Sequence, residues 1–145
     1  MDDVHLKQAI PEGEYVVEFV GYYTTTMFAQ RTPKLCMQFG IVEGDFAGIP
    51  LEQFHTVDRL YGDAGPKGSF KPKGQTCKLM IEFCRCFHDQ KIDRLDRIPM
   101  SRWESGRFIA KVRTVSENHQ RTDIPNQLRY SVIAEILGVA AEVAA

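Results

Sequence analysis

The segment Lys34–Phe54, KLCMQFGIVEGDFAGIPLEQF, constrains the fold more than any other stretch of the chain. Leu35, Met37, Phe39 and Ile41 alternate with Cys36, Gln38, Gly40 and Val42. Alternation with period two belongs to a β-strand, whose successive side chains point to opposite faces, so the larger apolar set is expected to face a core. The link Glu-Gly-Asp-Phe-Ala-Gly supplies Gly44 and Gly48, which adopt positive φ without a Cβ clash, and GIPLEQFHTVD then resumes the extended pattern. Pro50 has no N–H to donate and is expected at an edge or a bulge. A hairpin in the middle of a chain has to be one part of a larger sheet, because two strands alone bury too little.

The same period recurs elsewhere. GEYVVEFVGYY sets Tyr15, Val17 and Phe19 on one face, with Gly21 marking a bend or bulge. GRFIAKVRTV sets Phe108, Ala110 and Val112 against Arg107, Lys111 and Arg113. LRYSVIAEIL sets Tyr130, Val132, Ala134 and Ile136 on one face. Only QTCKLMIEFCRCFHD departs: Leu79, Met80, Phe83 and Phe87 recur at helical spacings without Gly or Pro, and Thr76 is placed to cap the helix. TTTMFAQRTP, Thr24 to Pro33, is read as a loop or ragged strand extension. RLYGDAGPKGSFKPKG, Arg59 to Gly74, is read as a long loop. QKIDRLDRIPMSRWESG is read as a polar linker, in which Trp103 is a core plug.

Three strands, a helix and two strands make the expected fold mainly β: a five-stranded OB-fold Greek-key barrel with an α-helix between strands 3 and 4. An α+β sandwich would give a similar string. The 145 residues are read as a single domain, 1–145, with a polar lead-in over 1–12 and a C-terminal tail over 139–145.

Net charge is −1, so nothing in the overall balance points to an anionic partner, and the distribution of charge carries the information. Asp2, Asp3, Glu12, Glu14 and Glu18 crowd the N-terminal part, whereas Lys67, Lys71, Lys73, Lys78 and Arg85 face Glu82 alone between Pro66 and Arg85. No apolar run approaches the ~18 residues of a membrane helix. MDDVHLKQAIPEGEY lacks the apolar stretch of a signal peptide. The expectation is a cytoplasmic protein without a membrane partner, whose four cysteines are reduced thiols. Cys77, Cys84, Cys86 and His88 lack the paired knuckle spacing of structural zinc, and no metal or other cofactor is expected.

IPEGEYVVEFVG, LCMQFGIVEGDFAGIPL and GRFIAKVRTV…LRYSVIAEIL, taken in order over Ile10 to Leu137, resemble the small single-stranded-DNA-binding proteins of bacteriophages and integrated mobile elements. These are OB-fold proteins similar to one domain of the eukaryotic replication protein A. The resemblance implies DNA binding during replication or recombination, in a host cytoplasm if the gene is a phage's. Many such proteins end in an acidic tail that recruits partners; this chain ends AAEVAA, so recruitment through a tail is not expected.

Sequence-tolerant binding of a single strand needs cations for the phosphates and aromatic faces for the bases. In an OB-fold the second and third strands and the loops after the first and fourth supply them. The first loop is expected to hold Tyr22, Tyr23, Phe28, Arg31 and Lys34, where aromatics and cations interleave. Phe54 stands on the third strand, on a face its sequence does not decide. Lys67, Phe70, Lys71 and Lys73 form a basic flap in a glycine-rich loop that lacks the P-loop pattern. Lys111 and Arg113 point outward from the fourth strand, with Arg121 in the loop after it. The bland alternatives are barrel-end packing for the aromatics and solvated faces for the cations.

No nucleophile elbow, zincin, Walker or dinucleotide motif is present, so an enzyme is not expected. The expected partner is single-stranded DNA, with RNA the alternative, because stacking and phosphate contacts alone do not read the 2′-OH. A homo-oligomer through an open sheet edge is the expected assembly mode if one forms. The competing reading is an OB-like protein–protein interaction module in a replication or virion assembly.

Overall fold

The computed structural model describes residues 9–27, 32–74, 77–88, 98–116 and 129–140. The chain is mainly β. Its strands are β1 (Gly13–Met27), β2 (Thr32–Ile41), β3 (Pro50–Thr56), β4 (Arg59–Tyr61), β5 (Gly65–Pro66), β6 (Ser69–Lys71), β7 (Arg107–Val115) and β8 (Tyr130–Val139). The helix α1 (Lys78–Cys86) follows β6, and a 3-10 helix (Met100–Ser105) precedes β7.

The main sheet is antiparallel and runs β3-β2-β1-β7-β8, with β5 also paired to β1. Three consecutive strands followed by one that returns beside the first is a Greek-key-like order. The long β1 makes it possible. One edge pairs with β2 from Val17 to Met27, while the other carries β7 over Gly13–Glu18 and β5 at Tyr23 and Thr24. The two ends of the sheet, β3 and β8, come together, and no ladder joins them among the described residues.

The expected faces of the first two strands hold. Val17, Leu35, Met37, Phe39 and Ile41 are buried, and Tyr15 and Phe19 pack against them. The register slips between Phe19 and Gly21, so a bulge stands where Gly21 marked one, and Val20 is left 70% exposed. Gly44 and Gly48 both take positive φ in the β2–β3 link, and Phe46 between them packs edge-on to Tyr15, ring centroids 6.0 Å apart.

Of the two readings of Thr24–Pro33, the strand extension is the one that holds: Thr24–Met27 continue β1, pairing with Thr32–Leu35 of β2. A run of β-branched threonines fits a pleated surface better than a loop. The segment from Arg59 to Gly74 is no unstructured loop: β4 and β6 form a two-stranded ribbon, and β5 fastens it to β1. The fastening is Thr24, whose Oγ1 accepts the Gly65 N–H at 3.2 Å, together with the Lys67 N–H donating to the Tyr22 carbonyl at 3.0 Å. Gly68 lies so close to Thr24 that a Cβ there would collide with its hydroxyl. In β8 the simple alternation fails at Ala134: with two irregularities in the β7–β8 register, Ile133 turns inward as well as Ile136, and Ala134 is only half-buried.

Helix α1 is capped at Cys77 without a side-chain hydrogen bond, and Thr76 lies outside the described residues. It buries Leu79, Met80, Glu82, Phe83 and Cys86. Phe83, Phe87, Phe39 and Phe108 surround Trp103, which is fully buried, with ring centroids 5.1–6.5 Å from it. Trp103 is therefore core, as read from the sequence. Of the four cysteines, all free thiols, Cys36 and Cys86 are buried and Cys84 is exposed. Burial pushes the Cys86 thiol up to about 12, so it is an inert packing group.

Candidate functional site

Directly opposed residues on neighbouring strands share a face. On the outer face of β1, β2 and β3 the register builds three rows: Thr25–Lys34–Thr56, Tyr23–Cys36–Phe54 and Gly21–Gln38 continuing to Glu52. The middle row places an aromatic at each side of a small residue. Phe54 thus belongs to the outer face, with Leu51, Gln53 and His55 buried on the inner one. Tyr23 lies against Cys36 and Glu52, and burial first, then these neighbours, hold its hydroxyl protonated.

Phe54 is shared by two adjoining depressions. One, of about 250 Å³, is lined by Phe54, His55, Thr56, Pro72, Lys73, Cys77, Lys78 and Leu79. The other, of about 220 Å³, runs on to Arg113, Val115, Tyr130 and Val132 across the seam between β3 and β8. Together they form a groove with Phe54 at its centre and Tyr130 towards one end. Its cations are Lys34, whose Nζ donates to Thr56 Oγ1 at 2.6 Å, Lys73, Lys78, whose Nζ donates to the Ala134 carbonyl, and Arg113.

These cations act on one another. Burial and the neighbouring Lys73 hold the Lys34 ammonium below its usual range. His55, almost wholly buried under the groove, is pushed down to about 3 by burial, with Lys78 and Lys34 adding to the effect. No ion pair to a carboxylate forms at Lys34, Lys73, Lys78 or Arg113 among the described residues. Glu82 and Glu135 act on Lys78 from α1 and β8, while a half-buried aromatic beside Lys73 and Arg113 favours an anion that also has a flat face.

Beneath the groove lies a buried polar cluster that the sequence reading missed. Glu82 of α1 accepts from Gln53 Nε2 at 2.9 and 3.1 Å and from the Ile136 N–H at 3.1 Å, so one carboxylate joins α1 to β3 and β8. His55 Nε2 stands 3.8 Å from Glu82 Oε1 without a hydrogen-bond partner among the described residues. Beside it, Arg85 Nη1 donates to Glu135 Oε2 at 2.6 Å and to the Ile136 carbonyl at 2.8 Å, a second tie from α1 to β8. The signal in the sequence was polar Gln53 and His55 in register with apolar Leu51, which demands a polar partner inside.

A neutral buried imidazole gives stability a pH dependence with a definite sign. The unfolded chain takes up the His55 proton below its ordinary value of 6.5, whereas the folded chain does so only near about 3. Stability contributed by neutral His55 is complete above 6.5 and is lost as pH falls through that window, by up to ~1.4 kcal/mol per pH unit. Glu82 works the other way, since burial raises its pKa and protonation in the folded state relieves the buried charge. Thermal unfolding from pH 7 to 4 should show a shallower fall for His55→Gln than for the wild type. Parallel curves would mean His55 is not held neutral.

The remaining site candidates are placed elsewhere. Tyr22 is on the inner side, stacked on Phe19 at 6.3 Å, and Phe70 is buried in register with Leu60. Neither ring offers a face to a base in this groove, because both fill the core side of the sheet. Lys67 is exposed at the ribbon's turn with φ 53, and Lys71 pairs with Asp58 at 3.7 Å. Lys111 stands between Glu14 and Glu135 on neighbouring strands, so its charge is met locally. Phe28, Arg31 and Arg121 lie outside the described residues. Lys78 and Tyr130 were not singled out from sequence; the first reads as a helix residue and the second as a strand residue until the fold brings them to Phe54. No family model, curated protein or solved structure matches the chain.

Proposed function

We propose that the chain is an OB-fold protein that binds single-stranded DNA without strong sequence preference, through the groove centred on Phe54. The observation that carries this reading is Phe54 shared by two depressions that also hold Lys73, Lys78 and Arg113, with Lys34 in the adjacent row and no ion pair at any of the four among the described residues. Phosphates fit the cations and bases fit the rings of Phe54, Tyr130 and Tyr23, a combination that tolerates any base because every base has a π-face. The Greek-key-like order and the helix before β7 accord with an OB-fold, whose strands 2 and 3 form the binding face. Replication and recombination, where single strands are exposed, are the contexts in which such binding protects DNA.

The chemistry needs no cofactor. Cations set affinity and its salt dependence, while the aromatic centre sets orientation of the bases. Phe54→Ala is expected to weaken binding by ~1–3 kcal/mol, the value of one stacked base, with the salt slope unchanged. Lys34→Ala and Lys78→Ala should each lower that slope by about 1. Fluorescence anisotropy of labelled oligo-dT across a salt series reads both quantities. Unchanged affinity and slope in all three variants would place the site elsewhere on the protein.

A further inference from the structure

The ribbon of β4 and β6 alternates as cleanly as the main sheet. Leu60 and Phe70, paired with each other, face inward. Arg59, Tyr61, Ser69 and Lys71 are left on the outer side, in the cross-strand pairs Arg59 with Lys71 and Tyr61 with Ser69. Tyr61 is 39% exposed, and the Arg59 guanidinium lies over its ring at 5.2 Å. A depression of about 140 Å³ opens beside Tyr61, lined also by Tyr22, Ser69 and Phe70. The ribbon is held rigidly, because Thr24 and Tyr22 fasten its turn to β1.

The ribbon is joined to the groove through the chain at both of its ends. Lys73, two residues after β6 ends at Lys71, lines the groove beside Phe54, and β3 leads through Val57 and Asp58 into Arg59. A strand leaving the groove past Lys73 therefore meets Lys71 and Arg59 before Tyr61. Asp58 offsets Lys71 in part, and Arg59 makes no ion pair among the described residues. An exposed tyrosine with a guanidinium stacked over it is a platform for a base, with cations beside it for the flanking phosphates.

We infer that the β4–β6 ribbon is a second nucleotide-binding surface, on which Tyr61 and Arg59 hold a base of the same single strand after it leaves the Phe54 groove. The inference rests on the reading of that groove as a single-strand site, and it adds that the ribbon lengthens the strand the protein occupies. Its occupant is single-stranded nucleic acid, because the ribbon offers an aromatic–guanidinium stack and cations, without a broad apolar area for a protein partner.

The test is anisotropy with oligo-dT of increasing length, from about 4 to about 16 nucleotides, the range of site sizes for one OB-fold. Wild type, Tyr61→Ala and Arg59→Gln are compared at each length. Short oligonucleotides, filled by the groove alone, should bind all three proteins equally. On longer ones both variants should lose about ten-fold in affinity, or about 1.4 kcal/mol. Curves that coincide at every length overturn the ribbon's role and leave the groove reading intact. A loss that is the same at the shortest and longest lengths also overturns it, because the effect would then lie in the groove. Wild-type protein that binds no oligonucleotide of any length overturns the groove reading and the ribbon with it. Tyr61 and Arg59 are surface residues, so circular dichroism should show both variants folded; Arg59→Gln removes the charge and the guanidinium stacked over Tyr61 together.

Discussion

Trp103→Ala should lower the unfolding free energy by ~3–5 kcal/mol, the range for emptying a large buried aromatic site. Trp103 is fully buried, and its indole meets Phe39, Phe83, Phe87 and Phe108 edge-on or nearly so. Those rings come from β2, α1, the end of α1 and β7, so the indole is where helix and sheet are joined. The neighbours cannot close the gap without moving backbone, and a cavity left open adds to the lost transfer free energy. Trp103→Phe, which keeps a ring and gives up the buried indole N–H that has no partner among the described residues, should cost much less. Urea unfolding of the three proteins reads the difference, and a Trp103→Ala protein as stable as wild type would mean that helix and sheet are held together elsewhere.

Glu82→Ala is expected to cost a similar amount, ~3–5 kcal/mol, for a different reason. Its carboxylate takes three hydrogen bonds from Gln53 and the Ile136 N–H and lies 3.8 Å from His55, all in the interior. Removing it strands buried donors, and the penalty is the desolvation of each one left unpaired. Glu82→Gln separates hydrogen bonding from charge. Its oxygen can accept from Ile136, and its amide can donate to Gln53 Oε1, which has no partner in the wild-type structure. The Gln variant should stay within about 1 kcal/mol of wild type at neutral pH, because it avoids burying a charge. If Gln and Ala variants are equally unstable, the negative charge itself is what the cluster requires. The cluster forms the floor of the groove, so Glu82→Ala should also weaken strand binding by loosening α1, which carries Lys78.

Much of the fold could be read from period alone. Leu35–Ile41 and Phe108–Val112 alternate without interruption, and their faces are where the alternation puts them. Period failed wherever the ladder is irregular. Two register shifts in β7–β8 turned Ile133 inward, and no composition rule marks such a shift. The ribbon was hidden because Gly and Pro dominate Arg59–Gly74, although Arg-Leu-Tyr and Ser-Phe-Lys each alternate once. The fold brings some of the residues singled out from the sequence together and leaves others apart. Tyr23, Lys34, Phe54, Lys73 and Arg113 converge. Tyr22 and Phe70 do not, because a neighbouring residue on a strand faces the other way and an aromatic in a basic segment can still be the one that fills the core. Lys78 and Tyr130 reach the groove from elements distant in sequence, which only the closure of β3 against β8 brings about.

In the proposed function, the Phe54 groove holds single-stranded DNA. Its most direct test is a titration of labelled oligo-dT followed by fluorescence anisotropy at low and moderate salt, with duplex DNA as competitor. Tight binding at low salt, weaker binding as salt rises and little displacement by duplex are the expected result. No binding at low salt, or equal competition by duplex, would contradict it.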